Sequence, residues 1–192
     1  MTEITGVNGY IASRVAEAFL QAGYSVRGTA RSKKSATALL TALSSHADKL
    51  EIVEVPDITA PGAFDAAVQD VDAVAHLASP VSLTFIDPEP VLQTAVNGTT
   101  EILKSAIKAS TIKSFVLMSS YAALLATPPT GKDITLNEEG WNNWAERLCE
   151  KLGKNTPGPA IYAASKAATE KAFWKFKDEN KPIFTMTTIN PW

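Results

Sequence analysis

Thr5-Gly6-Val7-Asn8-Gly9-Tyr10-Ile11-Ala12 is the stretch on which the fold turns. It follows a very short leading segment ending in Ile4 and Thr5. It opens a run in which Ile11, Val15, Ala18, Phe19 and Ala22 recur at helical intervals until Gly23, in a helix-ending position. A Gly-x-x-Gly-x-x-Ala run between a strand and a helix has a physical use. Gly6 permits a tight turn, Gly9 lets the backbone approach a pyrophosphate, and Ala12 is small enough for the helix to pack on the strand. The unpaired N–H groups at the start of the helix, and its dipole, favour the negative charge of phosphates. The competing reading is a glycine-rich turn that only joins strand to helix, and the surrounding pattern has to decide between the two.

Outward from this turn the apolar period switches repeatedly. Strand-like runs are expected at Tyr24 to Thr29, Leu50 to Val55, Ala73 to Leu77, Phe115 to Met118 and Ile183 to Ile189. Helical spacing is expected at Ser35 to Leu43, briefly at Ala63 to Val68, from Leu92 to Ala106, and at Ile161 to Phe176. Ala73 to Leu77 is nearly all apolar, as in a strand buried on both faces of a parallel sheet. Strands alternating with helices imply right-handed crossovers, so the expected fold is a doubly wound parallel α/β sheet of the Rossmann type in one domain over residues 1–192. Sites in such sheets lie beyond the carboxyl ends of the strands. Between about 125 and 160 the chain reads as irregular. The clusters Thr127-Pro128-Pro129-Thr130-Gly131 and Thr156-Pro157-Gly158-Pro159 bracket a segment too long for a plain connection, which reads as a lid.

Composition narrows the functional classes. The 192 residues are 45% hydrophobic and 20% charged, with 18 Lys+Arg against 20 Asp+Glu, which excludes a disordered or fibrous chain and speaks against nucleic acid as the partner. Cys149 is the single cysteine, so no internal disulfide and no zinc-ligand pattern is available, and no metal site is expected. Cys149 reads as an inert side chain in a loop or helix. No apolar run approaches the roughly 18 residues that span a bilayer, and no basic stretch followed by an apolar core opens the chain. A cytoplasmic enzyme or small-ligand binder, without membrane or nucleic-acid partners, is the expectation.

After the second expected strand comes Arg27-Gly28-Thr29-Ala30-Arg31-Ser32-Lys33-Lys34, where an NAD-binding unit would usually place an acidic residue against the ribose 2′-hydroxyl. A cation there suits a 2′-phosphate, because guanidinium pairs with phosphate through two hydrogen bonds. Arg31 is therefore expected to select NADPH/NADP over NAD, with Arg27 as an exposed strand residue; the alternative is a solvated basic helix start. After the third strand, Asp57 could accept from an adenine amine and Ile58 pack its ring, although a cap or turn role suits Asp57 nearly as well. After the fourth, Ala78, Ser79 and Pro80 are small enough for a cofactor backbone to pass. His76, inside that apolar strand and without a carboxylate or metal partner in sequence, reads as a hydrogen-bonded core histidine.

The fifth strand runs into Ser119-Ser120-Tyr121, and downstream Tyr162 and Lys166 stand four apart on one face of a helix. A Tyr-x-x-x-Lys pair is a weak signal alone; the order of nucleotide turn, strand-end serines and helical pair strengthens it. The chemistry is coherent. A tyrosine is a poor acid or base at neutral pH, but an adjacent ammonium and a cofactor cation stabilise its phenolate. Tyr162 could then exchange a proton with a carbonyl or alcohol oxygen. Ser120 would hydrogen-bond that oxygen, and Lys166 would tune Tyr162 and hold the nicotinamide ribose.

These residues resemble the extended short-chain dehydrogenase/reductases, and more narrowly their NADPH-dependent branch with the dihydroflavonol reductases and the fungal methylglyoxal, aldehyde and ketone reductases. The resemblance rests on Thr5 to Ala12, Ala30-Arg31-Ser32, Pro56-Asp57-Ile58, Ala78-Ser79-Pro80, Ala95 to Thr99, Ser119 to Ala123, Asn137 to Trp141, Tyr162 to Lys166 and Asn190-Pro191, and covers essentially the whole chain. It implies catalytic roles for Ser120, Tyr162 and Lys166 and a cofactor held by Gly6, Gly9, Tyr10, Ile11, Arg31, Asp57, Ile58, Ala78, Tyr162, Lys166 and Pro191, the last near the nicotinamide. It implies a structural or proton-relay role for Asn97. The substrate would be a small carbonyl compound reduced to an alcohol. Two departures stand out. Glu3 occupies a place where the family prefers an apolar residue, so the first strand is expected to be short or frayed. The family also continues past Asn190-Pro191 into a C-terminal substrate lobe that this sequence lacks, which leaves an open pocket that a homo-oligomer could cover. Two classes follow: an NADPH-dependent carbonyl reductase, or a cofactor-binding module without turnover or with non-redox, epimerase-type chemistry on the same scaffold.

Overall fold

The computed structural model describes residues 1–125, 136–137 and 140–192. The Pro/Gly cluster at Thr127 to Gly131, and Glu138 and Glu139 of the Asn137 to Trp141 motif, lie outside the described residues, as does part of the expected lid. Six strands form one parallel sheet: β1 (Thr2–Ile4), β2 (Val26–Ala30), β3 (Leu50–Glu54), β4 (Ala73–His76), β5 (Ser114–Met118) and β6 (Thr185–Ile189). Their order across the sheet is β3-β2-β1-β4-β5-β6, with every neighbouring pair parallel. The winding reverses between β1 and β4, the switch point at which doubly wound sheets bind ligands beyond the strand ends.

The helices are α1 (Tyr10–Gln21), α2 (Thr37–Ala42), α3 (Pro88–Lys108), α4 (Asn143–Leu152) and α5 (Gly158–Asn180). One apolar layer, with Ile4, Val26, Leu20 and Leu39, lies under α1 and α2. The other, with Val74, Phe115, Met186, Ile102 and Phe173, lies under α3 and α5. The register accounts for this split: Val74, Phe115 and Met186 sit opposite one another on adjacent strands and therefore share a face.

Several local expectations change. The stretch Ala63 to Val68 is a series of hydrogen-bonded turns rather than a helix. Gly62 is left-handed there (φ +72°), and bonds of mixed span join Ala63 N to Ala60 O, Asp65 N to Gly62 O and Val68 N to Phe64 O. Six residues after a proline and a left-handed glycine are too few to repay a helix nucleus. The stretch read as irregular contains α4, capped by Asn142, whose side-chain oxygen accepts from Ala145 N at 3.1 Å. Arg27 is not an exposed strand residue: its guanidinium pairs with Glu51 and donates to the carbonyls of Ala67 (3.1 Å) and Gln69. Glu3 does not fray its strand either. β1 is short, yet it is paired on both sides and wholly buried. Burial pushes the Glu3 carboxyl well above its ordinary value, against the opposing pull of Thr29 and Arg27. Burial thus works against the charged form, which a central strand would otherwise have to accommodate.

Candidate functional site

The carboxyl ends of β1, β2, β4 and β5 and the first turns of α1 and α5 enclose a cleft of about 1000 Å³. Its floor is the turn after β1. Gly6 takes φ +62°, a backbone conformation that strains any side chain, and at this close approach of the two strand ends a Cβ added there would stand a tight 3.3 Å from the Cα and Cβ of Ala78. Thr5 fixes that approach from beneath. Its buried hydroxyl accepts from Leu77 N and Ala78 N, both at 2.8 Å, which leaves its proton to be donated to His76 Nδ1 at 2.9 Å. Nε2 of His76 then donates to Thr99 Oγ1 at 3.1 Å. The ring is the hydrogen-bonded core histidine expected, and burial holds its pKa down to about 3.

Above the floor, α1 starts at Gly9 with no side-chain cap and no acidic residue in its first turn. Its first turn lines the cleft, and among the described residues no side chain caps its leading N–H groups. Asn8 donates to Ser35 O at 3.0 Å, tying the turn to the segment after β2. Arg31, exposed, and Ser35 line that end of the cleft, while Lys33 and Lys34 enter a short 3-10 turn capped by Ser32. Asp57 and Ile58 complete the wall. The Asp57 Oδ1 accepts from Thr59 N (2.8 Å) and Thr59 Oγ1 (2.7 Å), and these bonds hold its carboxyl below the ordinary range. The turn role is thus realised in a residue that also faces the cleft. Ile58 lies against α3 at Gly98, where a Cβ would come within 2.7 Å of Ile58 Cδ1.

At the other end, Tyr162 and Lys166 reach the cleft from the first turns of α5, beside Met118 and Ser119 at the end of β5. Lys166 is 6% exposed; its Nζ donates to Met118 O at 3.2 Å and stands 5.9 Å from the centre of the Tyr162 ring. Burial lowers the Lys166 pKa to about 8, against the opposing charge of Glu170. Ser120 and Pro191 are not on the described wall of this cleft. Ser120 is buried at the start of a 3-10 turn, where its Oγ accepts from Ala122 N at 3.2 Å, and Pro191 O accepts from Tyr121 N at 3.0 Å. Asn97 is exposed on α3. The structure therefore gathers Gly6, Gly9, Tyr10, Ile11, Arg31, Asp57, Ile58, Ala78, Tyr162 and Lys166 around one cavity.

Sequence reasoning passed over Thr29, Ser35 and Thr94 as wall residues, since nothing in their local sequence distinguishes them, whereas Ser79 was among the small residues expected there. Ser79 is informative: its hydroxyl oxygen is buried on the wall with no hydrogen-bond partner in the described chain. A dinucleotide fits this wall, with uncapped amides for phosphate, a guanidinium at one end, an orphaned hydroxyl midway and an amine at the other. Among the described residues no cluster of three or more His, Cys, Asp or Glu could hold a metal, and no helix is long and apolar enough to cross a membrane.

Sheet order, switch-point cleft and glycine turn define a doubly wound α/β protein of the Rossmann type. The chain belongs to the NAD dependent epimerase/dehydratase family, whose model matches residues 2–191. It is 38% identical over 191 residues to aldehyde reductase 2 of Sporidiobolus salmonicolor, covering 98% of this chain and 55% of that protein. It is 36% identical over 198 residues to the NADPH-dependent methylglyoxal reductase GRE2 of Saccharomyces cerevisiae, covering 98% and 56%. Among solved structures, yeast methylglyoxal/isovaleraldehyde reductase Gre2 complexed with NADPH superposes with a TM-score of 0.89 at 35% identity, over 99% of this chain and 57% of that one. Vestitone reductase from alfalfa gives 0.79 at 29% identity, over 98% and 55%. The chain thus spans little more than half the length of these relatives.

Proposed function

We propose that the cleft binds NADPH and that this chain carries the proton-transfer side of an NADPH-dependent reduction of an aldehyde or ketone to an alcohol. The observation that carries the reading is the placement of Tyr162 and Lys166 on one cavity with the uncapped start of α1 and with Arg31. When bound, the cofactor supplies a hydride to the carbonyl carbon. The amides of Tyr10 and Ile11 hold the phosphates, Arg31 pairs with the 2′-phosphate, and Asp57 and Ile58 border the adenine. Tyr162 gives its phenolic proton to the carbonyl oxygen as that carbon is reduced. Lys166, fixed by Met118 O, places a cation beside the Tyr162 ring and would hold the nicotinamide ribose. Ser120, its oxygen already accepting from Ala122 N, keeps a hydroxyl proton to donate to the substrate oxygen.

A second reading is that the chain binds the cofactor without turnover. One set of measurements separates the two. In calorimetric titrations NADPH binds more tightly than NADH, and Arg31→Asp reverses the order, weakening NADPH by about 10- to 100-fold, as loss of a charge-assisted contact does. Equal affinity for the two cofactors removes the assignment of Arg31. In NADPH-oxidation assays with small aldehydes and ketones, Tyr162→Phe lowers turnover by about 10²- to 10⁴-fold with cofactor affinity little changed. Turnover retained in that variant excludes Tyr162 as the proton donor. NADPH binding with no oxidation by the unaltered chain supports the second reading.

A further inference from the structure

Behind the Tyr162/Lys166 pair lies a buried polar cluster that the proposed chemistry leaves unused. Glu170 follows Lys166 by one turn of α5 and is 2% exposed. Its Oε2 accepts from Ser119 Oγ at 2.5 Å and from Asn190 Nδ2 at 2.8 Å, and its Oε1 accepts from Thr188 Oγ1 at 3.3 Å. The same Asn190 amide donates to Ser120 O at 3.1 Å, and Ser119 N donates to Ile189 O at 2.9 Å. One carboxylate, midway along α5, therefore gathers the ends of β5 and β6 onto that helix. These elements set Ser119 and Lys166 at the cleft. A buried carboxylate is costly unless its oxygens are satisfied. Here three neutral donors satisfy them, so its charge is left to act on the nearest cation.

We propose that Glu170 is a positioning residue of the Tyr162/Lys166 site: its carboxylate holds the Ser119–Ser120 segment through Ser119 and Asn190, and its charge faces the Lys166 ammonium from one helical turn away. Its consequence for turnover rests on the reductase reading, whereas its effect on Lys166 does not. The titratable groups around Lys166 are few: Glu170 and Tyr162 on its own helix and, from β4, His76, which burial keeps neutral. Desolvation works to strip the proton from Lys166, and among the described residues Glu170 is the carboxylate opposing it.

Glu170→Gln isolates the charge, because the amide oxygen can accept from Ser119 and Asn190 while its NH₂ meets the Thr188 oxygen. The titration of Lys166 is followed by NMR of the full chain with ¹³C-labelled lysine, the signal being assigned by its loss in Lys166→Met. Glu170→Gln is expected to lower the midpoint by about one pH unit, a tenfold weaker hold on the proton, and to move the alkaline limb of the kcat profile with it. A folded Glu170→Gln with the midpoint unmoved overturns the proposal. Ser119→Ala, which removes a bond and keeps the charge, is expected to lower kcat while leaving the midpoint within a few tenths of a unit; a kcat equal to that of the unaltered chain overturns the holding role. If Glu170→Gln does not fold, Glu170→Asp draws the charge back by one methylene; a lowered midpoint supports the proposal and an unmoved one overturns it. A chain that oxidises no NADPH refutes the reductase reading while the lysine titration still decides on Glu170. A chain that turns over with an unmoved midpoint refutes the proposal alone.

Discussion

Thr5 and His76 show how a single proton shapes the cleft floor. The Thr5 hydroxyl can hold Leu77 N and Ala78 N and still donate to His76 only while Nδ1 is a bare acceptor. The unfolded chain takes up a proton near the ordinary histidine value of 6.5, whereas the folded chain refuses it until about 3. Unfolding therefore binds the extra proton, so the stability contributed by the neutral ring is complete above 6.5 and is lost as pH falls toward 3. Urea unfolding at steps between pH 7 and pH 4 should show stability falling by up to about 1.4 kcal/mol per pH unit for this proton, and His76→Gln should flatten that slope. An unchanged slope would place the acid sensitivity elsewhere. The core role of His76 could be read from its apolar strand, but not the identity of its partners, because Thr5 and Thr99 are 71 and 23 residues away.

At the scale of elements, the strands and long helices follow the apolar period closely, and the misread ones have local causes. The helical spacing of Trp144, Ala145, Leu148, Cys149 and Leu152 is present in the sequence, yet α4 is short and lies between proline- and glycine-rich clusters that suggest a loop. Its stability comes from packing: Ala145 and Cys149 are buried against Ile161 and Ala164 of α5. Asn142 anchors its start. Besides capping Ala145 N, the side-chain amide donates to Ala122 O at 3.1 Å and Leu125 O at 2.6 Å. Asn142→Ala removes a cap and orphans two carbonyls, and should destabilise the chain by about 1–3 kcal/mol. Amide exchange should show α4 opening before α5. If α4 keeps its protection in the variant, the cap is not what holds it.

For the molecule as a whole, the cleft is walled by the ends of β1, β2, β4 and β5 and by α1 and α5, so a ligand there bridges both halves of the sheet. A dinucleotide bound to the folded chain alone, at a hundred times its dissociation constant, adds about 2.7 kcal/mol. For a chain of this size that is a rise in Tm of about 5–10 °C. Scanning calorimetry with and without NADPH measures it, and an unshifted Tm at saturating NADPH would show that the cleft does not take the cofactor.

By itself the sequence determined the winding of the sheet and the residues of the glycine turn and the Tyr162/Lys166 pair, because apolar period and helical spacing act over a few residues. Only the tertiary structure decided that Arg27 is tied down, that Glu3 is buried in a paired strand, that the Ser79 hydroxyl has no partner among the described residues, and that Glu170 joins α5 to the ends of β5 and β6. Those outcomes depend on contacts across dozens of residues, where burial and the search of each polar atom for a partner outweigh any preference written locally.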